Sequence, residues 1–155
     1  TEPLSYKEDR FFLKRNSETV SSFYLRTSPK RLIVYETEFW SALVPQFMKR
    51  PGELVIIEKD PSFTSLQSLP VAAIQELTTL MRSCFLNAAK LFSENQHISY
   101  NLIFHTNPNT GIYAEFLPYI QPLGGFERLG FFVCQQTPEE AAKIYKHRIF
   151  TNMLK

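Results

Sequence analysis

Residues 99–142 read SYNLIFHTNPNTGIYAEFLPYIQPLGGFERLGFFVCQQTPEEAA, and the fold turns on how this stretch is parsed. Tyr100–Phe104 and Tyr113–Leu117 are rich in aromatic and aliphatic residues and bounded by turn formers, which predicts two strands. The Asn-Pro-Asn-Thr-Gly run between them supplies the turn. Leu129–Cys134 is a third predicted strand, and Gly124-Gly125 ahead of it lets the backbone bend or approach a ligand closely. Thr137-Pro138-Glu139-Glu140 then has the pattern of a helix start. Thr137 is the N-cap, Pro138 takes the first helical position, and Glu140 is spaced to complete a capping box. Polar residues of special kinds crowd onto adjacent strands here and nowhere else in the chain.

Working outward, Leu32–Tyr35 and Phe39–Val44 read as consecutive strands around Glu36-Thr37-Glu38. Pro45 ends the second, and Pro51-Gly52 turns the chain into another strand, Glu53–Glu58. Pro70 to about Phe92 is a long helix with Ser68 as its cap. Ile74, Leu77, Met81, Cys84, Ala88 and Leu91 step by three and four along it as one buried stripe. A second helix runs from Thr137 to about Met153, with Ala142, Tyr145, Ile149 and Met153 facing inward. Arg10–Lys14 (RFFLK) and Val20–Arg26 (VSSFYLR) read as two strands joined across Asn16-Ser17-Glu18. They make residues 1–30 an arm or hairpin that leans on a neighbour. Residues 31–155 then form one α+β domain, a meandering antiparallel sheet with two main helices packed on one face.

At 155 residues, 44% apolar and 14% aromatic, the chain is long enough for one domain with a real core. A formal charge of +2 argues against nucleic acid or an anionic membrane as partner. Lys49, Arg50 and the Lys14-Arg15 pair are scattered as a solvated surface scatters them, not as a stripe that follows phosphates. No apolar run approaches the roughly 20 residues a bilayer span requires, and no signal peptide is visible. Cys84 and Cys134 lie far apart without C-x-x-C spacing, which reads as two structural thiols in the cytoplasm or another reducing compartment.

The pieces Phe104-His105-Thr106-Asn107-Pro108, Glu115-Phe116-Leu117-Pro118 and Gly125-Phe126-Glu127, followed by Thr137-Pro138-Glu139-Glu140-Ala141-Ala142, carry a resemblance. Together with Leu32–Lys59 they resemble the C-terminal half of the galactose-1-phosphate uridylyltransferase family, which includes related nucleotide-sugar phosphorylases. That half is a histidine-triad-like domain, and the resemblance covers about residues 31 to 145. It implies that Glu127 accepts hydrogen bonds from hexose hydroxyls, a task suited to a carboxylate with two acceptor oxygens. Phe126 would contact a sugar face, Gly124 and Gly125 would admit the ligand, and Lys59 would carry positive charge toward a phosphate. The competing reading leaves Glu127 facing solvent at a corner and Phe126 as a core plug.

The same resemblance marks losses. His105 matches a ligand of a structural metal, but its partner strand carries Tyr113-Ala114-Glu115 where the family has His-x-His or His-x-Glu. Tyr is a poor zinc ligand, so His105 and Glu115 are weak metal candidates and no metal or other cofactor is expected. The family's C-x-x-C pair is missing. The family's nucleophile belongs to a His-Pro-His-x-Gln motif in its other half, and this chain, with His97, His105 and His147, has no His-x-His at all. No Walker loop, G-x-G-x-x-G or G-x-S-x-G takes its place. The expectation is a catalytically depleted domain that binds a sugar phosphate or nucleotide, or docks on a protein or on itself through the N-terminal arm. The alternative is one portion of a nucleotidyltransferase whose catalytic half lies elsewhere.

Overall fold

The computed structural model describes residues 4–92, 99–107, 111–119, 124–129, 131 and 133–153. Among these, the strands are β1 (Ile33–Glu36), β2 (Trp40–Leu43), β3 (Leu54–Glu58), β4 (Ser99–Asn107) and β5 (Gly111–Tyr119). The helices are α1 (Leu4–Asn16), α2 (Val20–Thr27), α3 (Val71–Phe92), the single turn α4 (Gly125–Arg128) and α5 (Pro138–Met153). The five strands form one antiparallel sheet in the order β1-β2-β3-β5-β4. The architecture is α+β, as the sequence predicts. The meander holds through β3, after which α3 carries the chain to the far edge and β5 returns between β3 and β4. Among the described residues, no helix is long and apolar enough to cross a membrane.

The larger core lies on the face covered by α3 and α5. Alternation along the strands turns Trp40, Ala42, Leu54, Ile56, Ile112, Ala114 and Phe116 toward those helices. Trp40 and Tyr145 are fully buried, and each satisfies its polar atom on backbone. Trp40 Nε1 donates to Ala73 O at 2.8 Å, and the Tyr145 hydroxyl donates to Gly52 O at 2.8 Å. The helix start at Thr137 is as predicted: Thr137 N donates to Glu140 Oε2 at 2.9 Å and Glu140 N to Thr137 Oγ1 at 3.3 Å. Ala142 and Tyr145 point inward as expected. The expected inward side chains of Leu91, Ile149 and Met153 fall outside the described residues.

Four expectations are corrected. Arg10–Lys14 and Val20–Arg26 are helical, not strands. Thr19 caps α2 by accepting from Ser22 N at 3.1 Å, and Ser17 adopts φ 57 to turn the chain between the two helices. Val20, Tyr24 and Leu25 then form a helical stripe on Leu43, Val55, Ile57 and Tyr113, so α2 covers the second face of the sheet. The described part of Leu129–Cys134 is not a strand either. Phe126 O accepts from both Leu129 N and Phe131 N at 3.0 Å, which curls the chain out of α4, while β5 already has partners on both sides. Finally, the α3 stripe keeps Leu77, Cys84 and Ala88 with Met81 partly buried against the core, but Ala73 and Leu80 join it and Ile74 is 43% exposed. The Trp40–Ala73 bond sets that rotation. Ser68 lies in a short 3-10 turn, donating to Ser65 O at 2.7 Å, and does not cap α3.

Candidate functional site

His105 and Glu115 sit opposite each other across the β4–β5 ladder, displaced by one pair: His105 is level with Tyr113 and Glu115 with Ile103. Odd-numbered positions of β5 face α1 and α2, so Tyr113 and Glu115 emerge on the same side as His105. The imidazole and the Tyr113 ring stack at 4.1 Å and 4°. His105 Nε2 lies 3.2 Å from Glu115 Oε2, and because a carboxylate can only accept, Nε2 carries the proton. Lys49 Nζ stands 3.8 Å from the other oxygen of Glu115, on the solvent side.

Helix α1 adds a residue that the sequence reading missed. Asp9 is buried over the cluster, and the Tyr113 hydroxyl donates to its Oδ1 at 3.1 Å. Its Oδ2 lies 3.7 Å from His105 Nδ1, too long for a hydrogen bond, and has no hydrogen-bond partner among the described residues. The imidazole is thus bracketed, with one carboxylate at each nitrogen. Nearby, Glu53 is also buried and accepts from the backbone N–H groups of Lys49 and Arg50.

The electrostatics follow from this packing. Burial raises the Asp9 carboxyl above its ordinary range, although His105 and the Tyr113 hydroxyl pull the other way. Glu115 is lowered, first by its hydrogen bond to His105. Tyr113 is pushed up by burial and then by the charge of Asp9. Glu53 is raised by burial. The donor set does not fit one metal ion. Asp9 and Glu115 address opposite nitrogens of a single ring, so no cation can meet both carboxylates and the imidazole. Among the described residues, no group of three or more His, Cys, Asp or Glu is arranged to hold one.

The second set of sequence candidates lies elsewhere. Gly124 is exposed ahead of α4, and a Cβ at Gly125 would meet nothing within 4 Å. Phe126 is 67% exposed, so it is not a core plug. The Glu127 side chain lies outside the described part. Lys59 is placed by the strands alone. It follows the end of β3, level with the start of β5, whereas Gly124–Phe126 follow the end of β5. Its ammonium is committed locally, donating to Thr37 O at 2.7 Å with Glu36 at 3.7 Å.

No protein-family model and no curated protein matches the sequence. Solved structures do. A uridylyltransferase superposes with a TM-score of 0.79 at 18% identity, over 95% of this chain and 50% of its own. An ADP-glucose phosphorylase from Arabidopsis thaliana with bound ADP-glucose gives 0.73 at 21%, over 89% of this chain and 46% of its own. A zinc-bound histidine triad family protein from Mycobacterium smegmatis gives 0.59 at 13%, over 86% and 94%. The fold is therefore the histidine-triad-like one of the uridylyltransferases. The chain spans about half the length of the two transferase-type structures.

Proposed function

We propose that this chain is a catalytically depleted histidine-triad-like domain whose role is binding or structural, comprising residues 31–155 with residues 1–30 as its N-terminal arm. The carrying observation is the bracketed imidazole. A histidine that attacks phosphorus must present a free nitrogen lone pair to substrate. His105 is only 5% exposed, is hydrogen-bonded at Nε2 and has the buried Asp9 facing Nδ1. This favours a buried hydrogen-bonded support over a nucleophile or a metal ligand. The free thiols of Cys84 and Cys134 agree with a reducing compartment.

The ligand class follows from likeness and from the open corner at Gly125 and Phe126. A solved neighbour holds ADP-glucose, and the resemblance gives Glu127 the sugar hydroxyls. A sugar phosphate or nucleotide is the proposed ligand, with Gly124, Gly125, Phe126 and Glu127 as its contacts and Lys59 as a source of positive charge. Hydrogen bonds to a charged carboxylate contribute on the order of 1.5–3 kcal/mol. Titration of the wild type and Glu127→Ala with hexose phosphates and nucleotide sugars should therefore show a loss of roughly tenfold to a hundredfold. A wild type that binds none of them at millimolar concentration would remove the ligand reading and leave protein docking.

A second reading rests on the half-length match to the transferase-type structures. In it, this chain is one portion of a nucleotidyltransferase, and the nucleophile lies in another. Incubation with a radiolabelled nucleoside diphosphate sugar separates the two. The depleted domain should carry no acid-labile label, whereas a label on His97, His105 or His147 would make the chain a transferase in its own right. A His-Pro-His-x-Gln motif encoded upstream of Thr1 would favour the second reading.

A further inference from the structure

The chain that carries the open corner at Gly125 and Phe126 leaves the sheet at Tyr119, the last residue of β5, and rejoins the body at Gln136, just ahead of α5. One turn touches both of those points. Residues 49–52 (Lys-Arg-Pro-Gly) lead into β3. Gly52 N donates to Gln136 Oε1 at 2.8 Å, and the Arg50 guanidinium lies over the Tyr119 ring, 5.3 Å from its centroid. The turn is fixed from below. The buried Glu53 carboxylate accepts from Lys49 N at 2.5 Å and from Arg50 N at 3.3 Å. Gly52 takes a φ of 72, which glycine adopts without strain, and its carbonyl accepts from the Tyr145 hydroxyl. Arg50 therefore stands on a firmly held base, where the segment bearing the corner departs.

Two other cations near β3 are engaged. Lys49 Nζ faces Glu115 at 3.8 Å, and Lys59, at the far end of the strand, donates to Thr37 O. The Arg50 guanidinium is half-buried against a ring, and no carboxylate pairs with it among the described residues. A ring face neutralises no charge, so the guanidinium keeps its charge and its N–H donors for an anion. We propose that Arg50 takes the phosphate of the sugar phosphate or nucleotide assigned to the corner, with Tyr119 as the residue that positions it. The inference rests on that ligand reading and adds the group that recognises the anionic end. A guanidinium suits the task because its planar fork gives two parallel N–H···O bonds to phosphate oxygens, which an ammonium cannot. Glu127 then selects for hydroxyls and Arg50 for phosphate, and a ligand must carry both to bind well.

Titration calorimetry with the hexose phosphates and nucleotide sugars tests this, taking the tightest binder of the set. Arg50→Ala should weaken it by about tenfold to a hundredfold. Inorganic phosphate, a competitor in the wild type, should no longer compete in that variant. Added salt should weaken wild-type binding and have less effect on Arg50→Ala. Arg50→Lys, which keeps the charge without the fork, should recover only part of the loss. Tyr119→Leu, which keeps the charge without the ring, should cost about two- to fivefold. A wild type that binds none of the set at millimolar concentration overturns this inference together with the ligand reading. Wild-type binding that Glu127→Ala weakens and Arg50→Ala leaves unchanged overturns this inference alone, as does a loss that falls on Lys59→Ala instead.

Discussion

The two faces of the sheet are held by different physics. Under α3 and α5, Trp40, Phe116, Leu80 and Tyr145 are buried among apolar neighbours, and the two polar atoms of Trp40 and Tyr145 end on backbone. Stabilisation there scales with apolar area and does not depend on direction. Under α1 and α2 the apolar patch is smaller, and beside it Asp9, His105, Tyr113 and Glu115 meet through directed contacts. Such a network stabilises only while each member finds its complement. The first face specifies the fold, and the second is where residues can be exchanged to change what the fold does.

Truncating the larger core should cost most. Phe116→Ala empties a site ringed by Phe85 and Tyr100, at centroid distances of 5.0 and 5.3 Å, and should lose about 3–5 kcal/mol in urea unfolding. If Leu43→Ala on the other face cost more, the ranking of the faces would be inverted. Tyr113→Phe keeps the ring stacked on His105 but leaves Asp9 Oδ1 without its donor. It should cost about 1–3 kcal/mol, and amide exchange should quicken in α1 and not in β2 or β3.

The next test concerns the one acid raised on the apolar side. Strand alternation places Glu58 on the α3 face, and burial lifts its carboxyl from 4.5 to about 7. Its folded state favours the neutral form, so its contribution is fully present below pH 4.5 and is lost as pH rises through 7. Glu58→Gln, which can still accept from Asp60 N, should match wild type near pH 4. By pH 8.5 it should be more stable by on the order of 1 kcal/mol, after allowing for solvent screening. Equal melting temperatures at both pH values would show that Glu58 is not desolvated. The smallest expected effect is at Asp9. Its Oδ2 is buried 3.7 Å from His105 Nδ1 with no hydrogen-bond partner among the described residues, so an amide there removes a desolvated carboxylate. Asp9→Asn should raise stability at pH 7 by roughly 0.5–1 kcal/mol, whereas a loss would mean that the carboxylate charge itself holds α1.

The strands of the sheet were readable because their apolar runs are short, β-branched and closed by turn formers, as in Glu53–Glu58. Composition misled where it outweighed spacing. Phe11, Phe12, Phe23 and Tyr24 suggested strands, yet Val20, Tyr24 and Leu25 carry helical spacing, and Phe12 and Phe23 pack edge to face at 5.3 Å between two helices. Leu129–Cys134 has a strand's composition, yet Leu129 N and Phe131 N are taken by Phe126 O in a turn that no local pattern reports. His105 and Glu115 were legible together only through the family resemblance, and the β4–β5 register then showed them on one face. Asp9 was not, because in Lys7-Glu8-Asp9-Arg10 nothing distinguishes it from Glu8 until α1 is folded onto the sheet.

The Asp9–Tyr113 bond joins residues 104 positions apart in the chain. At about 5–20 residues per second of synthesis, α1 and α2 leave the ribosome roughly 5–20 seconds before the strand they close upon exists. Throughout that interval α1 and α2 have at most β2 and β3 to rest on, and the Asp9–Tyr113 closure is missing. A nascent chain of this kind should engage a holding chaperone through α1 and α2 and release it only once β5 has emerged.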